Sequence, residues 1–185
     1  LTPSLIKGIS IEIFLGTWCG DSKREVPKFL KLLDEIKFNM ANIKIIAVGA
    51  SDSLYKQSPQ GEEKSKGIYR VPTFIIYRNG VEINRINEYP ALSLEKDFLN
   101  IIGGEAYTPN YKSFVIINKW MNEGVLVDSN ITPRSLATQI KQLVSNENEL
   151  NSLGYLLLTQ NFKKEALTIF RINANLYPES RSEER

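Results

Sequence analysis

Short apolar runs alternate along this chain with segments in which apolar residues recur every three or four positions. The apolar runs at 9–16, 43–49, 73–77 and 81–86 have the length and composition of β-strands. Helical spacing predicts helices over 23–38 and 92–102, with a turn at 17–22 before the first of them. The polar segment 50–67 is predicted to be a loop.

The order of these elements predicts an α/β fold. A strand, a helix and a second strand indicate a right-handed crossover between parallel strands. Asn79-Gly80 lies between two apolar runs and predicts a β-hairpin. Together they predict a mixed four-stranded sheet with flanking helices, with one parallel and two antiparallel pairings. Because the strand at 43–49 is almost entirely apolar, we expect both of its faces to be covered. Ser93 is a predicted helix cap, and Gly103-Gly104 a predicted helix end.

The chain changes character after residue 104, where a small all-helical segment is predicted. Helical spacing covers 112–123, 147–158 and 162–176, and Thr132-Pro133 has the form of a helix start. We therefore predict two domains, at 1–104 and 105–185. Residues 1–8 are expected to form a short helical lead-in, and residues 181–185 to fray.

Composition excludes several function classes. The chain has one cysteine and no histidine, so it cannot form a Ser-His-Asp or Cys-His pair, a Cys/His zinc site within one chain or an internal disulfide. Its 23 basic and 21 acidic residues are scattered, which does not indicate nucleic-acid binding. No apolar run has the roughly 18 residues needed to span a bilayer. No metal site and no cofactor are expected.

Four sequence features resemble the thioredoxin superfamily when taken in order. They are the turn Trp18-Cys19-Gly20 after the first strand, Pro27 eight residues beyond the cysteine, Val71-Pro72-Thr73 at the start of a strand, and the hairpin at Asn79-Gly80. This resemblance covers residues 9–104. It implies a thioredoxin-like fold and a reactive site around Cys19.

The resemblance also implies roles for individual residues. Cys19 and Ser22 take the two catalytic positions of the family's active-site turn. The implied substrate-binding residues are Trp18, Gly20, Asp21, Val71 and Pro72. Trp18 would flank the sulfur, and Pro72 would follow a cis peptide bond. A cysteine at a helix N-terminus faces unpaired N–H groups and the positive end of the helix dipole, which favour a thiolate.

The chain departs from the family's pattern at three positions: 13, 21 and 22. Ser22 replaces the second, resolving cysteine, and Ile13 stands where the family has a buried carboxylate. Asp21 replaces a common proline; its charge opposes a thiolate, whereas the Ser22 hydroxyl could donate a hydrogen bond to one. A dithiol cycle cannot run. A lone thiol can still form a mixed disulfide, which an external thiol such as glutathione would release.

The end of the chain resembles a tetratricopeptide repeat. Leu153-Gly154, Ala166, Phe170 and Pro178 match the offsets of that repeat, in a unit at about 147–180. A single repeat does not bury enough surface to fold alone, so the helices before it are expected to act as neighbours. A helical bundle that merely covers apolar surface is the alternative.

Two functions remain open from the sequence. The first is a monothiol protein, a thiol-disulfide oxidoreductase in the broad sense, whose Cys19 engages protein thiols or disulfides one at a time. The second is a redox-inactive adaptor in which the thioredoxin-like fold and the helical tail bind another protein. The chain begins at Leu1, which is consistent with a processed or excised product. Similar fusions are often exported bacterial proteins, so an exported or periplasmic location is expected and a cytoplasmic one stays open.

Overall fold

The computed structural model of the chain describes residues 4–51 and 54–179. The first three residues of the expected lead-in at 1–8, and the expected frayed end at 181–185, lie outside these residues. The chain divides into two compact units. Unit 1 comprises Leu1–Ala50, Lys56–Glu63 and Arg70–Asn110, and unit 2 comprises Ser51–Tyr55, Lys64–Tyr69 and Tyr111–Arg185. The simpler division at residues 104 and 105 stays a prediction.

Unit 1 contains a mixed four-stranded sheet, as the sequence predicted. Its elements in chain order are β1 (Ile9–Leu15), α1 (Gly20–Glu35), β2 (Ile43–Ala47), β3 (Thr73–Arg78), β4 (Val81–Asn87) and α2 (Leu94–Gly103). The strand order is β2-β1-β3-β4. β1 pairs parallel with β2 and antiparallel with β3, and β3 pairs antiparallel with β4. The one parallel and two antiparallel pairings are thus confirmed.

The position of β2 corrects one expectation. We expected this strand to be covered on both faces, but it lies at the edge of the sheet, and the side chain of Ile45 is 51% exposed. Lys44 and Ala47 are exposed as well. Apolar composition alone cannot distinguish a central strand from an edge strand, because β-branched and aromatic residues are enriched in strands of both kinds.

The start of α1 corrects a second expectation. The helix begins at Gly20, with Cys19 as its N-cap, and not at residue 23. Gly20, Asp21 and Ser22 therefore belong to its first turn. The helix continues through Pro27 to Glu35.

The core of unit 1 holds the sheet against its helices. Phe29 of α1 contacts Phe74 of β3 and Phe98 of α2, with ring centroids 4.7 and 5.5 Å apart. All three rings are fully buried. The predicted helix ends of α2 are confirmed: the Ser93 hydroxyl accepts a hydrogen bond from the Lys96 N–H, and Gly104 has a left-handed conformation.

Unit 2 is helical. Its elements are α3 (Ser113–Asn122), α4 (Pro133–Ile140), α5 (Glu147–Thr159) and α6 (Lys163–Leu176). The predicted cap at Thr132 and first-turn Pro133 are confirmed. Buried residues of all four helices form one apolar core; they include Phe114, Ile140, Leu153 and Ile169.

Gly154 and Phe170 pack closely between α5 and α6. A Cβ at position 154 would lie 2.5 Å from Cε1 of the Phe170 ring, closer than atoms in contact can approach. The same ring packs edge-on against Tyr155, with centroids 5.2 Å apart. Gly154 is therefore required by the close approach of the Phe170 side chain and not by its backbone conformation.

A Gly154→Ala variant is expected to lose up to about 2 kcal/mol of unfolding free energy. Overpacking against Phe170 costs about 1–3 kcal/mol, which exceeds the gain of about 1 kcal/mol in helix propensity. Urea unfolding measures the change. Gly20→Ala is the matched control, because a Cβ at position 20 meets no atom within 4 Å. A Gly154→Ala variant as stable as the control would show that Phe170 can move aside at no cost.

Candidate functional site

Cys19 occupies the junction of β1 and α1. It follows a turn in which the Cys19 N–H donates a hydrogen bond to the Gly16 carbonyl at 2.9 Å. The cysteine is the N-cap of α1, and its carbonyl accepts from the Lys23 N–H at 3.1 Å. The thiol is half-buried. Its side chain makes no capping hydrogen bond to the first turn.

The Cys19 thiol contacts the loop before β3. Its Sγ donates a hydrogen bond to the Val71 carbonyl at 3.2 Å. The Val71–Pro72 peptide bond is cis. Both residues are buried. The structure thus brings together Cys19, Val71 and Pro72, three residues that the sequence selected from positions more than 50 apart. Contact of Val71 and Pro72 with a substrate stays a prediction.

Trp18 is held beside the turn by two contacts. Its indole Nε1 donates to the Val48 carbonyl at 3.2 Å. Its ring covers Gly16 so closely that a Cβ there would lie 2.6 Å from Cε2. The side chain is still 36% exposed. Trp18 therefore presents a fixed, partly open aromatic surface next to Cys19 in the chain.

Ser22 has a structural partner. Its hydroxyl is buried and accepts a hydrogen bond from the Gly16 N–H at 3.1 Å. This bond ties the first turn of α1 to the end of β1. The predicted donation from Ser22 to a Cys19 thiolate stays a prediction, since the hydroxyl proton is still free to point elsewhere.

Gly20 and Asp21 complete the turn around Cys19. The Asp21 carboxylate accepts from the Arg24 guanidinium at 2.6 Å. Arg24 also contacts Glu25. Because Arg24 is shared between two carboxylates, it offsets only part of the negative charge that we expected to oppose a thiolate. Gly20 is exposed and leaves open space at the start of the helix, because a Cβ there would meet no atom within 4 Å.

The position of the family's carboxylate is apolar. Ile13 is fully buried in β1, between Ile45 of β2 and Phe74 of β3. It provides no group that could accept or return a proton. Proton transfer at Cys19 must therefore involve solvent or another side chain.

The two ionisation states of Cys19 have different partners available. A protonated thiol can donate to the Val71 carbonyl, as it does here. A thiolate cannot, because two acceptors repel each other. It can instead accept from the N–H groups of the first turn of α1, which the Cys19 side chain does not cap. Ionisation is thus expected to move the sulfur from the Val71 carbonyl toward the helix N-terminus.

Lys56 was missed by the sequence reasoning. It lies within the polar segment 50–67, is only 6% exposed, and its N–H donates to the Gly49 carbonyl at 3.0 Å. Burial, and next the Arg70 guanidinium, lower the pKa of Lys56 from 10.5 to about 8, while Glu88 and Cys19 act in the opposite direction. A lysine in a polar segment carries no sequence signal for burial, so the motif around Cys19 could not reveal it.

Within residues 4–51 and 54–179, no group of three Cys, Asp or Glu residues could hold a metal ion. No helix in the same part of the chain combines the length and apolar character needed to cross a membrane.

No protein-family model and no curated protein matches the chain. Among solved structures, it is similar to a thioredoxin of Fasciola hepatica at 19% identity, covering 56% of this chain and 89% of that one, with a TM-score of 0.35. It is also similar to thioredoxin f2 of Chlamydomonas reinhardtii at 21% identity, covering 53% of this chain and 84% of that one, with a TM-score of 0.35. The order and pairing of its own strands, with the helices that flank them, give unit 1 a thioredoxin-like fold.

Proposed function

We propose that this protein is a monothiol member of the thioredoxin-like proteins, whose Cys19 forms mixed disulfides with partner thiols or disulfides. The observation that supports this most directly is the placement of the half-buried thiol at the N-cap of α1, with its Sγ 3.2 Å from the Val71 carbonyl. A helix N-terminus stabilises an anionic sulfur, and Gly20 leaves the approach to the turn open.

The proposed chemistry is thiol-disulfide exchange. The Cys19 thiolate attacks one sulfur of a partner disulfide, a new S–S bond forms to Cys19, and the second sulfur leaves as a thiolate. With Ser22 at the resolving position, the chain has no second thiol to reverse this step. An external thiol such as glutathione attacks the mixed disulfide and returns Cys19 to its thiolate. Each exchange conserves the number of thiols and disulfides.

Oxidised glutathione is expected to modify Cys19 in the folded protein and to release one reduced glutathione per chain. Intact mass spectrometry measures the adduct, and excess reduced glutathione removes it. The rate at neutral pH should exceed the rate for the same chain unfolded in urea, because only the folded chain has the helix N-terminus. A folded chain that reacts no faster than the unfolded one would contradict the proposal.

Cys19→Ser is the matched control for this experiment. It cannot form the adduct. Its free energy of unfolding should stay within about 1 kcal/mol of the parent, since a serine hydroxyl can donate to the Val71 carbonyl as the thiol does and no disulfide is removed. A loss of several kcal/mol would mean that Cys19 acts as core and not as a site.

The second candidate function is a redox-inactive adaptor. It is favoured by apolar side chains that α5 and α6 leave exposed, Tyr155, Leu158 and Leu167. We propose that α5 and α6 form a tetratricopeptide-like unit, on the basis of the close contact between Gly154 and Phe170. If Cys19 proves unreactive, protein binding without exchange becomes the better explanation of the fold.

The location of the protein is proposed from the resemblance alone. An exported or periplasmic location in a bacterium would suit a chain that exchanges disulfides with partner proteins. Fractionation of cells that express the native gene, followed by N-terminal sequencing of the product, tests both the location and the true N-terminus.

A further inference from the structure

We propose that unit 2 carries a binding site for a phosphate group, in the cleft between α4 and α6. The cleft has a volume of about 230 Å³, and its lining residues are Arg134, Ala137, Thr138, Lys141, Asn175 and Leu176. This site lies in the helical part of the chain and does not depend on the monothiol function proposed for Cys19.

The cleft has an apolar floor and polar walls. Ala137 is only 3% exposed and has no side-chain atom beyond Cβ, so it leaves space between the two helices. Leu176 is half-buried. The other four lining residues are polar and exposed, so a solute can reach the cleft from solvent.

Two cations line the cleft from α4. Arg134 and Lys141 are seven positions apart, a spacing that places residues on the same face of a helix. Thr138 lies between them, one turn beyond Arg134. Because α4 begins at Pro133, Arg134 is in its first turn, where the positive end of the helix dipole adds to the charge of the guanidinium. A ligand that fits between these cations must therefore be an anion.

No carboxylate of the cleft balances these charges. None of the lining residues is acidic, and the sequence contains no acidic residue between Asp128 and Glu147. Among the residues that the structure describes, none forms an ion pair with Arg134 or Lys141. The positive charge of the cleft is thus left for a ligand to neutralise.

The hydrogen-bond donors of the cleft suit an oxyanion. The Asn175 Nδ2 donates to the Arg171 carbonyl at 2.7 Å, which leaves the second proton of this amide for a ligand. The Thr138 hydroxyl already donates to the Arg134 carbonyl at 3.1 Å. The remaining donors are a guanidinium, whose paired N–H groups match the oxygens of phosphate, and an ammonium group.

The number of cations favours phosphate over a carboxylate. A phosphate monoester carries about −1.5 to −2 charges at neutral pH, which Arg134 and Lys141 together can balance. A single carboxylate would leave one of the two cations unpaired. The ligand class is therefore a phosphate group, either as the free ion or as part of a small phosphate monoester.

An NMR titration of the full chain with inorganic phosphate tests the site. Chloride keeps the ionic strength constant, so that general screening does not contribute. The Arg134 Nε–H signal and the Asn175 side-chain amide signals should shift in a saturable way. Shifts that chloride reproduces, or that do not saturate, would mean that phosphate only adsorbs to surface cations, and they would overturn the proposal.

Substitutions at the cleft locate the binding. Arg134→Gln and Lys141→Gln should each weaken phosphate binding by about tenfold, because each removes one charge-assisted hydrogen bond. Asn175→Asp places a carboxylate in the cleft with little change of shape and should abolish binding. These side chains are exposed, so we expect the variants to fold as the parent does.

Lys119→Gln is the matched control. It removes the same charge from α3, at a side chain that is 68% exposed and does not line the cleft. Its affinity for phosphate should stay within about twofold of the parent. A loss as large as that of Arg134→Gln would show that net charge alone attracts phosphate, and it would overturn the proposal.

A second titration, with glycerol 3-phosphate, distinguishes the two sources of the phosphate group. Tighter binding than that of inorganic phosphate would support a monoester whose carbon chain contacts the apolar floor at Ala137 and Leu176. Weaker binding would support the free ion as the ligand. If neither compound shifts the Arg134 and Asn175 signals of the parent, the proposal is wrong.

Discussion

The Ser22→Cys variant is expected to form an internal disulfide with Cys19 and to gain disulfide reductase activity. Cys19 is the N-cap of α1 and Ser22 is its third helical residue. Residues three positions apart at the start of a helix are neighbours on its surface. The variant therefore needs no rearrangement of the backbone to bring its two sulfurs together.

The gain in activity should be large because the second thiol acts within the molecule. A mixed disulfide at Cys19 of the parent waits for an external thiol. In the variant, the neighbouring thiol resolves it at an effective concentration of mM or above. We expect insulin reduction, with dithiothreitol as the electron source, to rise more than about tenfold over the parent. It should stay below that of an ordinary thioredoxin, because Ile13 supplies no carboxylate to move protons.

Two controls accompany the Ser22→Cys variant. The double variant Cys19→Ser, Ser22→Cys has its one thiol at the buried position and should be inactive. The hydroxyl of Ser22 also accepts from the Gly16 N–H, so its replacement should cost about 1 kcal/mol of stability in the reduced variant. If oxidation gives no internal disulfide in a folded Ser22→Cys chain, the turn is not arranged as described. If the parent alone reduces insulin equally well, the second thiol is irrelevant to the mechanism.

Much of the fold could be predicted from local pattern. The apolar run of β1, the Asn79-Gly80 hairpin and the Ser93 cap are each set by neighbours within a few residues. The edge position of β2 could not be predicted, because its apolar residues are compatible with a central or an edge position in the sheet. Which strand lies at an edge depends on pairings between distant segments, and the parallel pairing of β1 with β2 leaves Ile45 exposed.

The candidate site likewise contains residues that the sequence could reveal and residues that it could not. The residues in the turn from Trp18 to Ser22 form a contiguous motif, and Val71-Pro72 is a short one, so both could be recognised. Lys56 belongs to no motif, and its burial follows from how the segment after β2 folds back onto Gly49. The sequence also did not reveal the partners of Ser22 and Asp21. Gly16 comes close to Ser22, and Arg24 to Asp21, only once the turn and the helix have formed.

The buried Lys56 is expected to cost the protein stability at neutral pH. The pKa of Lys56 is lowered from 10.5 to about 8 in the folded protein, mainly by burial. The folded state therefore binds the proton less tightly than the unfolded state does. Below about pH 8 both states carry the proton and the penalty is complete. Between about pH 8 and 10.5 the folded state releases its proton first and the penalty falls, and above about pH 10.5 it is gone.

Lys56→Met removes this penalty while keeping a side chain of similar length. The difference between 10.5 and about 8 corresponds to about 3 kcal/mol, so the variant should be more stable than the parent by that amount at about pH 7. The two should become equally stable above about pH 10.5. Urea unfolding across this pH range measures both free energies. Lys31→Met is the matched control, since that side chain is 78% exposed and its removal should change stability by no more than about 0.5 kcal/mol.

The sign of this result bears on function. A variant that is more stable than the parent would show that the protein retains a destabilising buried charge, the pattern expected of functional residues. Suppose instead that Lys56→Met is less stable than the parent at about pH 7. Then the attraction of Lys56 to Glu88 outweighs its burial, and the lysine serves the fold.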